Sequence, residues 1–90
     1  MFAMRRRARV DRHQAEIVRV FRQLGFLVFD CSRVGGGFPD LSICRAGQPQ
    51  SIQLVELKTP TGKLTPDQVR FMEAGWPVKV VRSIEDALLL

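Results

Sequence analysis

Tyrosine is absent from the 90 residues, histidine occurs once, at His13, and cysteine twice, at Cys31 and Cys44. The cysteines form no C-x-x-C pair and have no histidine near them, so the ligand set of a zinc site is missing and zinc is excluded. Both cysteines sit in apolar, strand-like runs, where free thiols are commonly buried, and both are expected to be reduced core residues. Long hydrophobic runs are also lacking: none approaches the roughly 20 residues that cross a bilayer, so no membrane association is expected. Arg5-Arg6-Arg7 imitates the start of a signal peptide, but Arg9, Asp11 and Arg12 stand where its apolar stretch should follow. An arginine-rich transit peptide is disfavoured because its removal would cut into the first predicted helix. The expected location is the cytoplasm.

Acidic residues are scarce at one end only. Residues 1–25 carry seven arginines and no lysine against Asp11 and Glu16, a net +5, whereas residues 26–90 carry seven basic and seven acidic side chains and balance to zero. The whole excess of the chain is therefore arginine in its first segment. The planar guanidinium fork matches phosphate better than lysine does, so a polyanionic partner is expected there. The remaining composition, 46% hydrophobic and 26% charged, is that of an ordinary globular protein. A chain this short supports one domain and one core, over residues 1–90 with residues 1–10 as a basic arm.

Apolar periodicity predicts a helix capped by Asp11 and running to about Leu24, with Ile17, Val20, Phe21 and Leu24 on one face and Gly25 as its stop. Phe26–Phe29 reads as a short strand and Ser32–Phe38, with Gly35-Gly36-Gly37, as a loop. Asp40–Cys44 and Ser51–Thr59 read as strands joined by a turn at residues 46–49. Thr65-Pro66-Asp67 opens a helix that ends at Gly75. Val78–Val81 is a fourth strand, and Ser83-Ile84-Glu85-Asp86 opens a short final helix with a capping-box pattern. The expected fold class is α/β, a small mixed sheet flanked by helices in the order αβββαβα. His13 is read as a surface residue at the start of the first helix, and core packing is favoured for Trp76 and Leu88-Leu89-Leu90.

The chemistry concentrates in the middle of the chain. Glu56 and Lys58 stand two apart in an otherwise apolar strand, so they share a face opposite Val55 and Leu57. A hairpin at residues 46–49 brings Asp40 beside them. Two carboxylates this close repel unless a cation lies between them. Oxygen ligands suit Mg²⁺ or Mn²⁺, with the Leu57 backbone carbonyl as a further donor. Such a site fits phosphodiester hydrolysis, with Lys58 orienting a water or offsetting developing charge. Pro-Asp pairs are commonly turns and Glu-x-Lys pairs are commonly solvated, and only their combination points to a site. Gly36 and Gly37, just before Asp40, leave room for a nucleic-acid backbone.

Pro39-Asp40 followed by Glu56-Leu57-Lys58 resembles the signature of PD-(D/E)XK nucleases. Gly37-Phe38-Pro39-Asp40-Leu41, the Leu64-Thr65-Pro66-Asp67-Gln68 segment and the closing Gly75–Ser83 stretch are similar to the VRR-NUC branch in particular. The resemblance covers residues 11–90. It implies a restriction-endonuclease-like fold, metal ligation by Asp40 and Glu56, Lys58 serving the catalytic water, and Gln68 positioning the site. It also implies that Glu16 completes the metal site through water. Stand-alone domains of this size in that branch come mostly from phages and bacteria and are similar to Holliday-junction resolvases. The resemblance therefore implies a homodimeric endonuclease acting on branched DNA, with a four-way junction as the leading substrate. A flap or single-strand nuclease and a non-cutting branched-DNA-binding module are the alternatives. Arg5, Arg6, Arg7, Arg9, Arg12 and Lys63 would then contact phosphate. A tyrosine that some relatives place after the glutamine is replaced here by Met72.

Overall fold

A computed structural model describes the chain from Phe2 to Leu90, with side chains described from Arg12 onward. Helix α1 spans Phe2–Gln23, and β1 follows at Phe26–Asp30. Strands β2 (Leu41–Arg45) and β3 (Gln53–Leu57) are separated by a 3-10 turn at Pro49–Ser51. Helix α2 (Pro66–Glu73), strand β4 (Val78–Val81) and helix α3 (Ile84–Leu88) complete the order. The strands lie in the order β1-β2-β3-β4, with β1-β2 and β2-β3 antiparallel and β3-β4 parallel. The result is the small mixed α/β sheet expected from the sequence.

One boundary differs clearly. The first helix starts at Phe2 rather than at Asp11, so the segment expected to be an arm is helical. Ala, Met and Arg are strong helix formers, and no glycine or proline interrupts them, so Asp11 has no break to cap. Elsewhere the local chemistry acts as expected. Gly25 adopts φ +90°, which lets the chain reverse into β1. Thr65 and Gln68 form a reciprocal capping box at α2. Ser83 caps α3 by accepting the Asp86 N–H.

Helix α1 covers one sheet face. Its Ile17 and Phe21 are fully buried against Phe26, Leu41, Ile43, Val55, Leu57 and Val81, with Ala87 of α3 closing the cluster. These alternate along their strands, as a one-sided core requires. Phe21 and Phe26 meet edge to face at 5.7 Å between ring centroids. Leu24, expected on the buried face of α1, is instead exposed beyond the helix end. Core packing also fails for Trp76, Leu88 and Leu89: Leu89 is 84% exposed, and Trp76 only stacks on Phe71 at 5.4 Å. Leu90 alone of that terminus packs on the core. Cys31 is buried and Cys44 half-buried, and both are free thiols.

Candidate active site

The pairing register does the assembling. Leu41 pairs with Val55, so Asp40, one residue before β2, falls beside Glu56 near the end of β3. Asp40 is anchored there because its Oδ2 accepts the Leu57 N–H at 2.8 Å. A strand residue's N–H and C=O point to the same side, so the Leu57 carbonyl also lies on the Asp40 side. The loop that delivers Asp40 is closed by the Cys31 N–H, which donates to the Asp40 carbonyl at 2.7 Å.

Glu56 is 3% exposed, an unusual burial for a carboxylate. Its Oε2 accepts the Gln68 Nε2–H at 2.9 Å and lies 3.8 Å from the Lys58 ammonium. Burial pushes the Glu56 carboxyl up to about 8; the hydrogen bond and negative charge of Asp40 add to this, and Lys58 opposes it. Burial beside Asp40 thus favours the protonated form of Glu56 where no cation is bound. Gln68 is fixed at both ends of its amide: Oε1 accepts the Thr65 N–H at 2.8 Å in the capping box, which aims the NH₂ group at Glu56. The sequence thus places a helix-capping residue and a site residue in one side chain.

Both backbone groups of Lys58 are held. Its N–H donates to the Val81 carbonyl at 3.0 Å, continuing the β3-β4 pairing, and its carbonyl lies 3.1 Å from His13 Nε2. A carbonyl only accepts, so Nε2 is the donor in this contact. A cleft of about 300 Å³ opens over Asp40, Glu56, Leu57 and Lys58, rimmed by His13, Gln14, Gly62, Lys63 and Gln68. Arg82 steadies this rim by donating to the carbonyls of Thr59, at 3.0 Å, and Gly62.

The structure therefore brings together Asp40, Glu56, Leu57, Lys58, Gln68 and Lys63. It does not bring Glu16 with them: that side chain is exposed and does not line the cleft, whereas Gln14 of the same helix does. His13 is corrected from a surface residue at a helix start to a half-buried one in mid-helix. Its role was hidden because its partner is a backbone carbonyl 45 positions away. Gly37 also changes meaning. It adopts φ +85°, and a Cβ there would lie 2.3 Å from the Asp67 carbonyl oxygen, so its bareness lets the loop seat the start of α2. Gly36 has nothing within 4 Å and keeps the open approach expected of it. Arg12 is exposed on α1, while the side chains of Arg5, Arg6, Arg7 and Arg9 lie outside the described residues.

The donor set is all oxygen. Among the described residues no group of three or more His, Cys, Asp or Glu side chains converges, so two carboxylates and a carbonyl would be completed by water or substrate. That fits Mg²⁺ or Mn²⁺, which retain several waters, better than an ion needing a full protein cage. A model of the VRR-NUC domain matches residues 3–83, nearly the whole chain. This chain belongs to the VRR-NUC family. VRR-NUC is a nuclease domain, which points to DNA as the substrate class. No curated protein and no solved structure matches this VRR-NUC chain. Among its described residues no helix is long and apolar enough to cross a membrane.

Proposed function

We propose that the protein is a metal-dependent, structure-selective DNA endonuclease of restriction-endonuclease-like fold. The observation that carries this is the convergence of Asp40 and buried Glu56 with the Lys58 ammonium, 3.8 Å from Glu56. Asp40, Glu56 and the Leu57 carbonyl would hold Mg²⁺ or Mn²⁺, which when bound would supply a water of lowered pKa and a positive charge beside the phosphodiester. Lys58 orients the attacking water and offsets charge that develops on the phosphate oxygens. Gln68 keeps the Glu56 carboxylate turned into the cleft, and Lys63 at the rim takes a neighbouring phosphate. Arg12 and the arginines before it extend the phosphate contacts along the duplex.

The favoured substrate is a four-way junction cut by a homodimer, in a bacterial or phage-infected cytoplasm. In support, one copy has little surface with which to grip duplex arms, and Trp76, Leu88 and Leu89 are exposed apolar side chains available to an interface. The test is cleavage of four-way junction, flap, linear duplex and single-stranded DNA, with Mg²⁺, with Mn²⁺ and with chelator, beside Lys58→Ala. Paired symmetric nicks in the junction, abolished by chelator and by the variant, are expected. Cutting confined to flaps or single strands would replace the junction as substrate, and binding without any cutting would reject the nuclease assignment. Sedimentation of an active protein as a 10.2 kDa monomer would reject the dimer.

A further inference from the structure

A second cavity, of about 360 Å³, lies between α1 and the sheet on the β1 side of the cleft. It shares Gln14, Asp40 and Leu57 with the cleft, so the two are ends of one groove beneath α1. A molecule in the second cavity would lie beside the reacting groups of the first.

The cavity has an apolar floor and a polar rim. Val18, Val28, Leu41 and Leu57 make the floor, and Gln14, Arg22, Asp30 and Ser32 supply hydrogen-bonding groups around it. Asp30 accepts both the Ser32 N–H, at 2.8 Å, and the Ser32 hydroxyl, at 2.6 Å, through the same oxygen, Oδ1. These bonds hold its carboxyl below the usual range, so it is an acceptor at neutral pH. Its Oδ2 has no donor among the described residues. Arg22, a pure donor, has no carboxylate partner among them. Asp30 and Asp40 outnumber Arg22 in the lining, which disfavours a bare phosphate. Apolar surface flanked by one acceptor, one donor and an amide that does both is the chemistry that accepts a nucleobase.

We propose that this cavity receives the base of the nucleotide adjoining the scissile phosphate, so that the strand being cut is unpaired at that nucleotide. The inference rests on the nuclease reading and adds to it: a base stacked in duplex cannot enter a groove beneath a helix, so the enzyme acts where pairing fails. Asp30 takes an exocyclic amine of the base, and Arg22 and Gln14 contact its remaining edge.

The test pairs a lesion in the DNA with one in the wall. Abasic residues are placed one at a time along a cleavable strand, and each substrate is cut by the wild type and by Ala15→Phe, whose ring would fill the cavity from the exposed face of α1. The wild type should lose about tenfold at a single position, the scale of one apolar contact in a hydrophobic pocket. Ala15→Phe should lose a similar factor on the intact strand and nothing further on the abasic one. A flat abasic scan with cutting intact would overturn the inference while leaving the nuclease reading in place. Absence of cutting on every strand would instead overturn the nuclease reading. The cavity is then read in the metal-free protein by amide shifts with cytidine and guanosine monophosphates, expected at Val18, Val28 and Ser32. No shift there with either nucleotide would also overturn the inference.

Discussion

Glu56 is buried between Asp40 and Lys58, and these act on its proton in different directions: burial and Asp40 favour it, and the Lys58 charge opposes it. Because its carboxyl rises from an ordinary 4.5 to about 8, the metal-free folded protein binds this proton more tightly than the unfolded chain. The stability it contributes is complete below pH 4.5 and disappears as the pH rises through about 8. The melting temperature of the chelated protein should therefore fall across that window, and Glu56→Gln should remove the fall. Added Mg²⁺ or Mn²⁺ should reverse the trend, because ligation needs the deprotonated carboxylates. In the cleavage assay Asp40→Asn, Glu56→Gln and Lys58→Ala should each lose on the order of 100-fold or more in rate with circular dichroism unchanged. Gln68→Ala should lose less, since Glu56 stays in place but is no longer oriented. At this scale the sequence showed Asp40, Glu56 and Lys58, because two charges on one face of an apolar strand are conspicuous. It did not show His13, whose partner is the Lys58 carbonyl, or Gln14, whose place depends on how α1 lies over the sheet.

Among the elements, α2 depends most on a contact that composition alone does not reveal. None of its residues is buried, and its seat is the bare backbone of Gly37. Gly37→Ala adds both a left-handed side chain and a clash with the Asp67 backbone, whereas Gly36→Ala adds only the first. Strain of this kind costs about 1–3 kcal/mol, so Gly36→Ala should fall in that range and Gly37→Ala above it in chemical denaturation. The single tryptophan, Trp76, stacked on Phe71 of α2, provides the fluorescence probe. Boundaries set by proline, glycine and capping residues were legible here: Thr65 and Ser83 cap where the sequence says they should. The start of α1 was not, because a cap signal at Asp11 marks a beginning only where the preceding residues cannot continue the helix, and these can.

For the whole molecule, the charge asymmetry places the basic excess on α1, which also walls the cleft through His13 and Gln14. DNA affinity should fall with salt along a logarithmic slope of about −0.9 per phosphate neutralised. Replacing Arg5, Arg6 and Arg7 by glutamine should flatten that slope by about 0.9 for each phosphate that no longer meets an arginine, while the cleavage rate at saturating DNA stays near that of the wild type. The fold class was legible because periodicity and turn chemistry agree along most of the chain. The exposure of Leu27 and Phe29, 61% and 72%, was not, because alternation along β1 shows two faces without showing that one stays uncovered.

The backbone bond from Lys58 to Val81 ties the centre of the chain to its last strand. During translation Asp40, Glu56 and Lys58 all emerge before β4 exists to receive that bond. A nascent chain therefore carries these side chains on an open hairpin, with no partner strand for the lysine, until synthesis has passed residue 81. The strand order makes the Lys58 backbone one of the last parts of the sheet to gain its partner.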